Sequence, residues 1–166
     1  MSETLPWWQN GVIYQIYPKS FQDSTGSGTG DLNGIISRLD YLEKLGVSAL
    51  WLTPVYQSPQ IDNGYDVADY CAINPDYGTM ADFERLVEQA HQRGMRIVMD
   101  MVFNHTSTQH PWFVAAQDPA NEKHHFYIWR DGKADALPNN WRSKFGGDAW
   151  QWYESAGQYY LHLFAP

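Results

Sequence analysis

The chain has a single cysteine, Cys71, among its 166 residues. No intrachain disulfide can form, and neither a paired-cysteine zinc site nor a disulfide framework is available. A reducing cytoplasm is the compartment this leads one to expect. Basic residues are also scarce, with 11 Lys and Arg against 19 Asp and Glu and a formal charge of -8. That balance argues against a nucleic-acid binder, which needs a basic face to displace counterions from phosphates. Nowhere do roughly 18 apolar residues follow one another, the length a membrane helix requires. The N-terminal MSETLPWWQNG has no basic segment followed by an apolar run. The expectation is a chain neither exported nor membrane-spanning, whose partner is a small neutral or locally steered molecule; oligomeric state is not legible.

What the chain does have is 43% hydrophobic and 16% aromatic content, enough to bury a sizeable core in one soluble domain. GVIYQIY, from about Gly11 to Tyr17, reads as a buried parallel strand. Leu32, Ile35, Ile36, Leu39, Leu42 and Leu45 recur at helical steps, with Asp31 to cap the start and Gly46 to close the end of one helix. VSALWLTP is a second strand, followed by a long loop. Thr79 and Asp82 open a second helix in the manner of a capping box, with Phe83, Leu86, Val87 and Ala90 on one face. MRIVMDMVF is a third strand. Strand, helix, strand, helix, strand is the order that parallel neighbours with helical crossovers require.

From about His105 onward the pattern breaks. NHTSTQHPWF leads into a tract with Trp129, Trp141, Trp150 and Trp152 amid Gly, Pro and Asn. It reads as a loop-rich lobe without helical period, with short strands at HFYIW and QYYLHLF, inserted after the third strand.

In a parallel α/β architecture ligands gather at the carboxyl ends of the strands. Three stretches belong there: DSTGSGTGD (Asp23 to Asp31), DNGYDV (Asp62 to Val67) and DMVFNH (Asp100 to His105). On a strand, alternation sends Asp100, Val102 and Asn104 to one face and Met101, Phe103 and His105 to the other, Asp100 pointing inward and His105 lying at the rim. Asp62 and Tyr65 are an acid and a ring three residues apart, able to grip a pyranose by its hydroxyls and its CH face. Taken singly, each of these also reads as a structural aspartate, a satisfied histidine or a packed tyrosine. The histidine pairs His105 and His110, or His124 and His125, lack a third ligand at fixed spacing and are not read as a metal site. DSTGSGTGD is a phosphate cradle, a metal loop or a plain turn. A phosphate loop is disfavoured because no GK[ST] follows and carboxylates flank the glycines.

WWQNGVIYQIYPKSF, GDLNGI, LGVSALWLTP, DNGYDV, DYGT, DMVFNHTS and NNWRSKFGG together resemble the N-terminal part of the α-amylase family of glycoside hydrolases, over nearly the whole chain. Within it the chain is similar to the oligo-1,6-glucosidase and α-glucosidase branch, and PKSF and WRSKFGGDAW to members of that branch that cleave α,α-trehalose 6-phosphate. The resemblance implies an α/β fold: the first three βα units of a (β/α)8 TIM barrel at 1–104, and an inserted loop-rich domain B at 105–166. It places Asp62, Tyr65, Asp100 and His105 around the glucosyl residue left of the scissile bond, with Phe145 as an aromatic wall. Asn104 matches a calcium-holding position of true α-amylases that this branch lacks, so it is assigned no metal. Chemistry in the family is retaining hydrolysis by a nucleophilic Asp and an acid Glu. Both are expected after Pro166, so the chain as given is expected to be inactive, its sheet unclosed, with Val98 and Val102 facing water or a foreign surface.

The implied reaction is hydrolysis of α,α-trehalose 6-phosphate to glucose and glucose 6-phosphate. Five of the eleven basic residues, Lys123, Arg130, Lys133, Arg142 and Lys144, fall in one stretch against only Asp131 and Asp135. Arg142 and Lys144 are the candidates to attract the phosphate; a solvated charged surface is the alternative. An α-glucosidase or oligo-1,6-glucosidase acting on unphosphorylated sugars is the rival substrate reading. A non-catalytic sugar-binding or interaction module is the rival of another class. No cofactor is required. The resemblance also makes DSTGSGTGD a weakened divalent-cation loop, with Asp23, Thr25, Ser27, Asp31 and the carbonyl of Thr29 as ligands. Hydroxyls there replace an amide and a carboxylate, so Ca²⁺ or Mg²⁺ binding is expected to be weak or absent.

Overall fold

The computed structural model describes residues 5–132 and 136–165. Lys133 and Asp135 of the basic stretch lie outside the described residues. The chain divides into two compact units, Met1–Gln57 with Tyr70–Met101, and Ser58–Asp69 with Val102–Pro166. The second therefore begins three residues before the expected break at His105, and it also takes in Ser58–Asp69, expected with the barrel part. Hydrogen bonds explain this: the Ser107 amide donates to the Val67 carbonyl at 2.8 Å, tying that loop to the later segment.

The first unit contains α1 (Trp7–Asn10), β1 (Ile13–Ile16), α2 (Pro18–Phe21), α3 (Leu32–Ser37), α4 (Leu39–Lys44), β2 (Ala49–Leu52), β3 (Tyr56–Gln57), β4 (Asp69–Ile73), which enters the unit at Tyr70, α5 (Met80–Gln92) and β5 (Arg96–Met99). Strands β1, β2 and β5 form a parallel sheet in that order, with Ile13 opposite Ala49 and Leu52 opposite Met99. The sheet is open. Its core is mainly aliphatic: Ile16, Leu50 and Leu52 of the strands meet Leu32, Ile35, Leu39 and Leu42 of α3 and α4 and Leu86 and Ala90 of α5, with Tyr77 the one buried ring in the cluster among the described residues. Gly34 lets α3 lie against the backbone of Gln22, whose carbonyl oxygen a Cβ at position 34 would strike.

Three local expectations are corrected here. The helix expected from Leu32 to Leu45 is broken at Arg38, whose amide bonds to the Ile35 carbonyl, three residues back, while the Ser37 hydroxyl donates to the Gly34 carbonyl at 2.7 Å. Such back-bonding competes with the helical ladder and bends it. The third strand stops at Met99 rather than Phe103, so its alternation does not extend through His105. The Asp100 amide continues the ladder by one bond, donating to the Leu52 carbonyl at 3.2 Å. Val98 is half-buried, but Val102 is buried and so does not face water as expected; the chain has left the sheet at Met99, and Val102 belongs to the second unit.

The second unit has α6 (Pro111–Ala116), a 3₁₀ turn at Glu122–Phe126, and an antiparallel sheet of β6 (Trp129–Asp131), β8 (Gln158–Leu161) and β7 (Trp150–Tyr153), in that spatial order. Two corrections follow. A helix exists where no helical period was read: it is six residues long, opened by Pro111 and capped by His110, whose Nδ1 accepts from the Trp112 amide at 3.0 Å. Most of HFYIW is 3₁₀ turn and coil rather than strand, because the Asn121 side chain caps a turn there by accepting from the Lys123 amide. The core is aromatic. Phe113 is fully buried, with the rings of Tyr127, Trp129, Tyr153 and Tyr160 at centroid distances of 5.1, 5.7, 5.2 and 4.7 Å.

Candidate functional site

The loop carrying DNGYDV is wound by two non-glycine residues in the left-handed region, Gln60 at φ 62° and Asn63 at φ 51°. The Tyr65 amide donates to the Asp62 carbonyl at 2.9 Å, closing a turn over Asp62–Tyr65. Asp62 is half-buried, and among the described residues no donor reaches its carboxylate. Burial raises its pKa above the ordinary value, the charge of Asp66 adds to this, and His105 opposes it. A partly desolvated carboxylate with unused lone pairs is a ready acceptor for a ligand's hydroxyl groups.

His105 lies in the same unit and is fixed by its two ring nitrogens. Nε2 is 3.1 Å from the Tyr65 carbonyl oxygen and Nδ1 is 3.1 Å from the side-chain amide nitrogen of Asn104. A carbonyl only accepts, so Nε2 is the donor in its contact with Tyr65. A sugar hydroxyl bonding Nδ1 must displace the Asn104 amide. Beside the imidazole stands the Phe164 ring at 4.9 Å, and Phe145 follows it at 5.9 Å. The second unit thus brings together Asp62, Tyr65 and His105, and links Phe145 to them through Phe164. Phe164 was missed from sequence; its position beside His105 depends on the return of the chain after β8, which no local signal announces.

Asp100 sits in the first unit, half-buried at the carboxyl end of β5. There Tyr56 is buried, with its hydroxyl 2.8 Å from the Met101 sulfur. Burial, with the Asp100 charge second, pushes the Tyr56 phenol above its usual range. Of the two phosphate candidates, Arg142 pairs with Asp148 at 3.2 Å on an exposed turn, while the Lys144 side chain is exposed.

The carboxylates of DSTGSGTGD are turned inward on the loop itself. Asp23 accepts from the Thr25, Gly26 and Gly28 amides at 2.8, 2.8 and 2.7 Å and from the Thr25 hydroxyl at 3.1 Å. These bonds hold its pKa down to about 2. Asp31 caps α3 through Gly34 and accepts from the Ser24 amide and hydroxyl. The Ser27 hydroxyl donates to the Thr29 carbonyl at 3.2 Å. Every one of the five expected cation ligands is therefore already engaged with a protein group.

Comparison with known proteins decides the family. The description of the α-amylase catalytic domain matches residues 15–166. The chain belongs to the α-amylase family. It is 69% identical over 160 residues to the trehalose-6-phosphate hydrolase of Escherichia coli strain K12, covering 96% of this chain and 29% of that protein. The oligo-1,6-glucosidase of Parageobacillus thermoglucosidasius is 53% identical over 160 residues, covering 96% of this chain and 28% of that protein. The crystal structure of Bacillus licheniformis trehalose-6-phosphate hydrolase matches with a TM-score of 0.91 at 57% identity, covering 97% of this chain and 29% of that one. The chain thus spans under a third of the length of these α-amylase family relatives. Its open three-stranded sheet is part of a TIM barrel, as the resemblance of the motifs implied.

Proposed function

We propose that the full-length protein is a retaining glycoside hydrolase that cleaves α,α-trehalose 6-phosphate to glucose and glucose 6-phosphate. The observation that carries this reading is the identity gap: 69% to a trehalose-6-phosphate hydrolase against 53% to an oligo-1,6-glucosidase over the same length. Residues of this chain bind and orient the unphosphorylated glucose. Asp62 accepts from its hydroxyls, His105 and Asp100 add polar contacts, Tyr65 offers a ring, and Phe145 with Phe164 supplies apolar surface for the CH face. In such a hydrolase one carboxylate attacks the anomeric carbon as another protonates the departing oxygen, releasing glucose 6-phosphate. Water then attacks the glycosyl ester, giving its proton to the second carboxylate and freeing glucose. This chain holds the ring for both steps, and the two reacting carboxylates come from elsewhere in the protein.

Lys144 attracts the phosphate, with Arg142 second because Asp148 already engages it. That same pairing favours the rival reading, an α-glucosidase of unphosphorylated sugars. Steady-state kinetics of the full-length protein on trehalose 6-phosphate and isomaltose separates the two: kcat/KM is expected to favour the phosphorylated sugar, and equal efficiency defeats the assignment. The Lys144→Ala variant is expected to raise KM for trehalose 6-phosphate alone; an unchanged KM removes Lys144 from the site.

The protein is cytoplasmic in this reading. An exposed lone thiol at Cys71 suits a reducing compartment, and among the described residues no helix is long and apolar enough to cross a membrane. No cofactor takes part, and Ca²⁺ binding at Asp23 to Asp31 is weak or absent. Titration calorimetry that finds submicromolar Ca²⁺ affinity at this loop would contradict that.

A further inference from the structure

Asp66 is buried, and its carboxylate is surrounded by donors from the segment just before it. Oδ1 accepts from the Ser58 hydroxyl at 2.8 Å and from the Asp62 amide at 3.1 Å, and Oδ2 accepts from the Ile61 amide at 2.8 Å. Ser58 in turn accepts from the Gln60 amide at 2.9 Å. These bonds gather the stretch that contains the two left-handed residues, Gln60 and Asn63. The other side of the loop is pinned by the Ser107 amide on the Val67 carbonyl and by His105 on the Tyr65 carbonyl. The loop is therefore wound about an internal anion, while its neighbour Asp62 keeps a carboxylate that no donor among the described residues takes.

We propose that Asp66 is the positioning residue of this site, fixing through Ser58 and the Ile61 and Asp62 amides the pose in which Asp62 and Tyr65 meet the glucosyl ring. The inference rests on the reading that Asp62 contacts the sugar. Charge-assisted bonds to backbone amides hold a loop more rigidly than neutral ones. An amide side chain at position 66 would keep an acceptor for Ser58 but turn a donor toward one of the two backbone amides, forcing the loop to open. Displacement of a contact group by about an ångström is enough to cost on the order of 100-fold in rate.

The test uses the full-length protein and p-nitrophenyl α-glucoside, a probe that both substrate readings accept. Asp66→Asn is expected to lower kcat and kcat/KM together by about 100-fold, with KM changed less than about 3-fold, the pattern of a contact that acts in the transition state. Ser58→Ala is expected to lower kcat by about 10-fold with little change in melting temperature, and Ser58→Thr, which restores the hydroxyl, to recover most of it. If Asp66→Asn fails to fold, the Ser58 pair carries the test. Parental kcat in Ser58→Ala and in a folded Asp66→Asn, alongside a crippled Asp62→Asn, overturns the role of Asp66 alone. Parental kcat/KM in Asp62→Asn overturns this inference and the sugar-contact reading beneath it.

Discussion

In the first unit Asp23, Asp31 and Asp82 each accept from backbone amides and hydroxyls, and Asp23 and Asp82 are held at a pKa of about 2 as a result. In the second unit Asp66 is engaged in the same way, whereas Asp62, four residues earlier, is left without a donor among the described residues and has its pKa raised by burial. The contrast separates carboxylates that build the fold from one that the fold supplies to something else. The cores differ as well. Mainly aliphatic side chains between helices and a parallel sheet fill the first, and aromatic rings, many of them edge-on, fill the second.

The largest effects should come from the cores. Phe113→Ala is expected to cost about 3–5 kcal/mol in urea unfolding and to erase much of the near-ultraviolet circular dichroism of the ring cluster. Leu42→Ala, equally buried, is expected to cost about 2–5 kcal/mol while leaving that signal in place. Loss of the aromatic signal in both variants would show that the two cores are not distinct cooperative regions. A smaller effect belongs to the cap of α5. The Thr79 hydroxyl accepts from the Asp82 amide, and Asp82 accepts from the Thr79 amide at 2.8 Å. Thr79→Ala is expected to cost about 1 kcal/mol, measured by the same unfolding curves.

The acid limb of stability distinguishes the two kinds of aspartate by sign. Thr79 first, with Asn33 and Arg85 contributing, depresses the Asp82 pKa from 3.8 to about 2. Its stabilising contribution is complete above pH 3.8 and is lost as pH falls toward 2. Asp82→Asn should flatten the melting temperature across that window, and an unaltered profile would refute the assignment. Asp62 runs the other way. Its folded carboxyl binds a proton more tightly than the unfolded one, so raising pH through its titration removes stability. The smallest effect follows: Asp62→Asn is expected to raise the melting temperature slightly at pH 7 while impairing turnover, the usual opposition between stability and function. A lowered melting temperature would mean that Asp62 is a structural carboxylate after all.

The parts read correctly from sequence are those with strong local signals. Thr79 and Asp82 announce α5 three residues apart, and the apolar run VSALWLTP contains β2. Where several weak local choices compete, reading fails. Arg38 interrupts an unbroken apolar period because a neighbouring serine takes a helical carbonyl, and α6 escapes notice because a histidine, an uncommon cap, opens a very short helix. The site divides similarly. Asp62, Tyr65, Asp100, His105 and Phe145 came from family motifs, which pattern alone left ambiguous. Asp66 stands within one of those motifs, but its burial and its three donors exist only once the loop is closed.

The pairing registers also set an order in time. Tyr153 meets Gln158 across a tight turn, but Ile13 must find Ala49, and Ala49 must find Arg96, with a helical segment interposed each time. A hairpin closes in about 1–10 μs, whereas non-local parallel pairs wait for long loops to shut. The β7–β8 amides should therefore gain protection from hydrogen exchange before those of β1, β2 and β5 in a refolding pulse experiment, and simultaneous protection would refute that order. On a ribosome the sequence of events is inverted in space: the segments that pair slowly emerge before the fast hairpin, so the parallel strands wait exposed to chaperones for longer than β7 and β8 do.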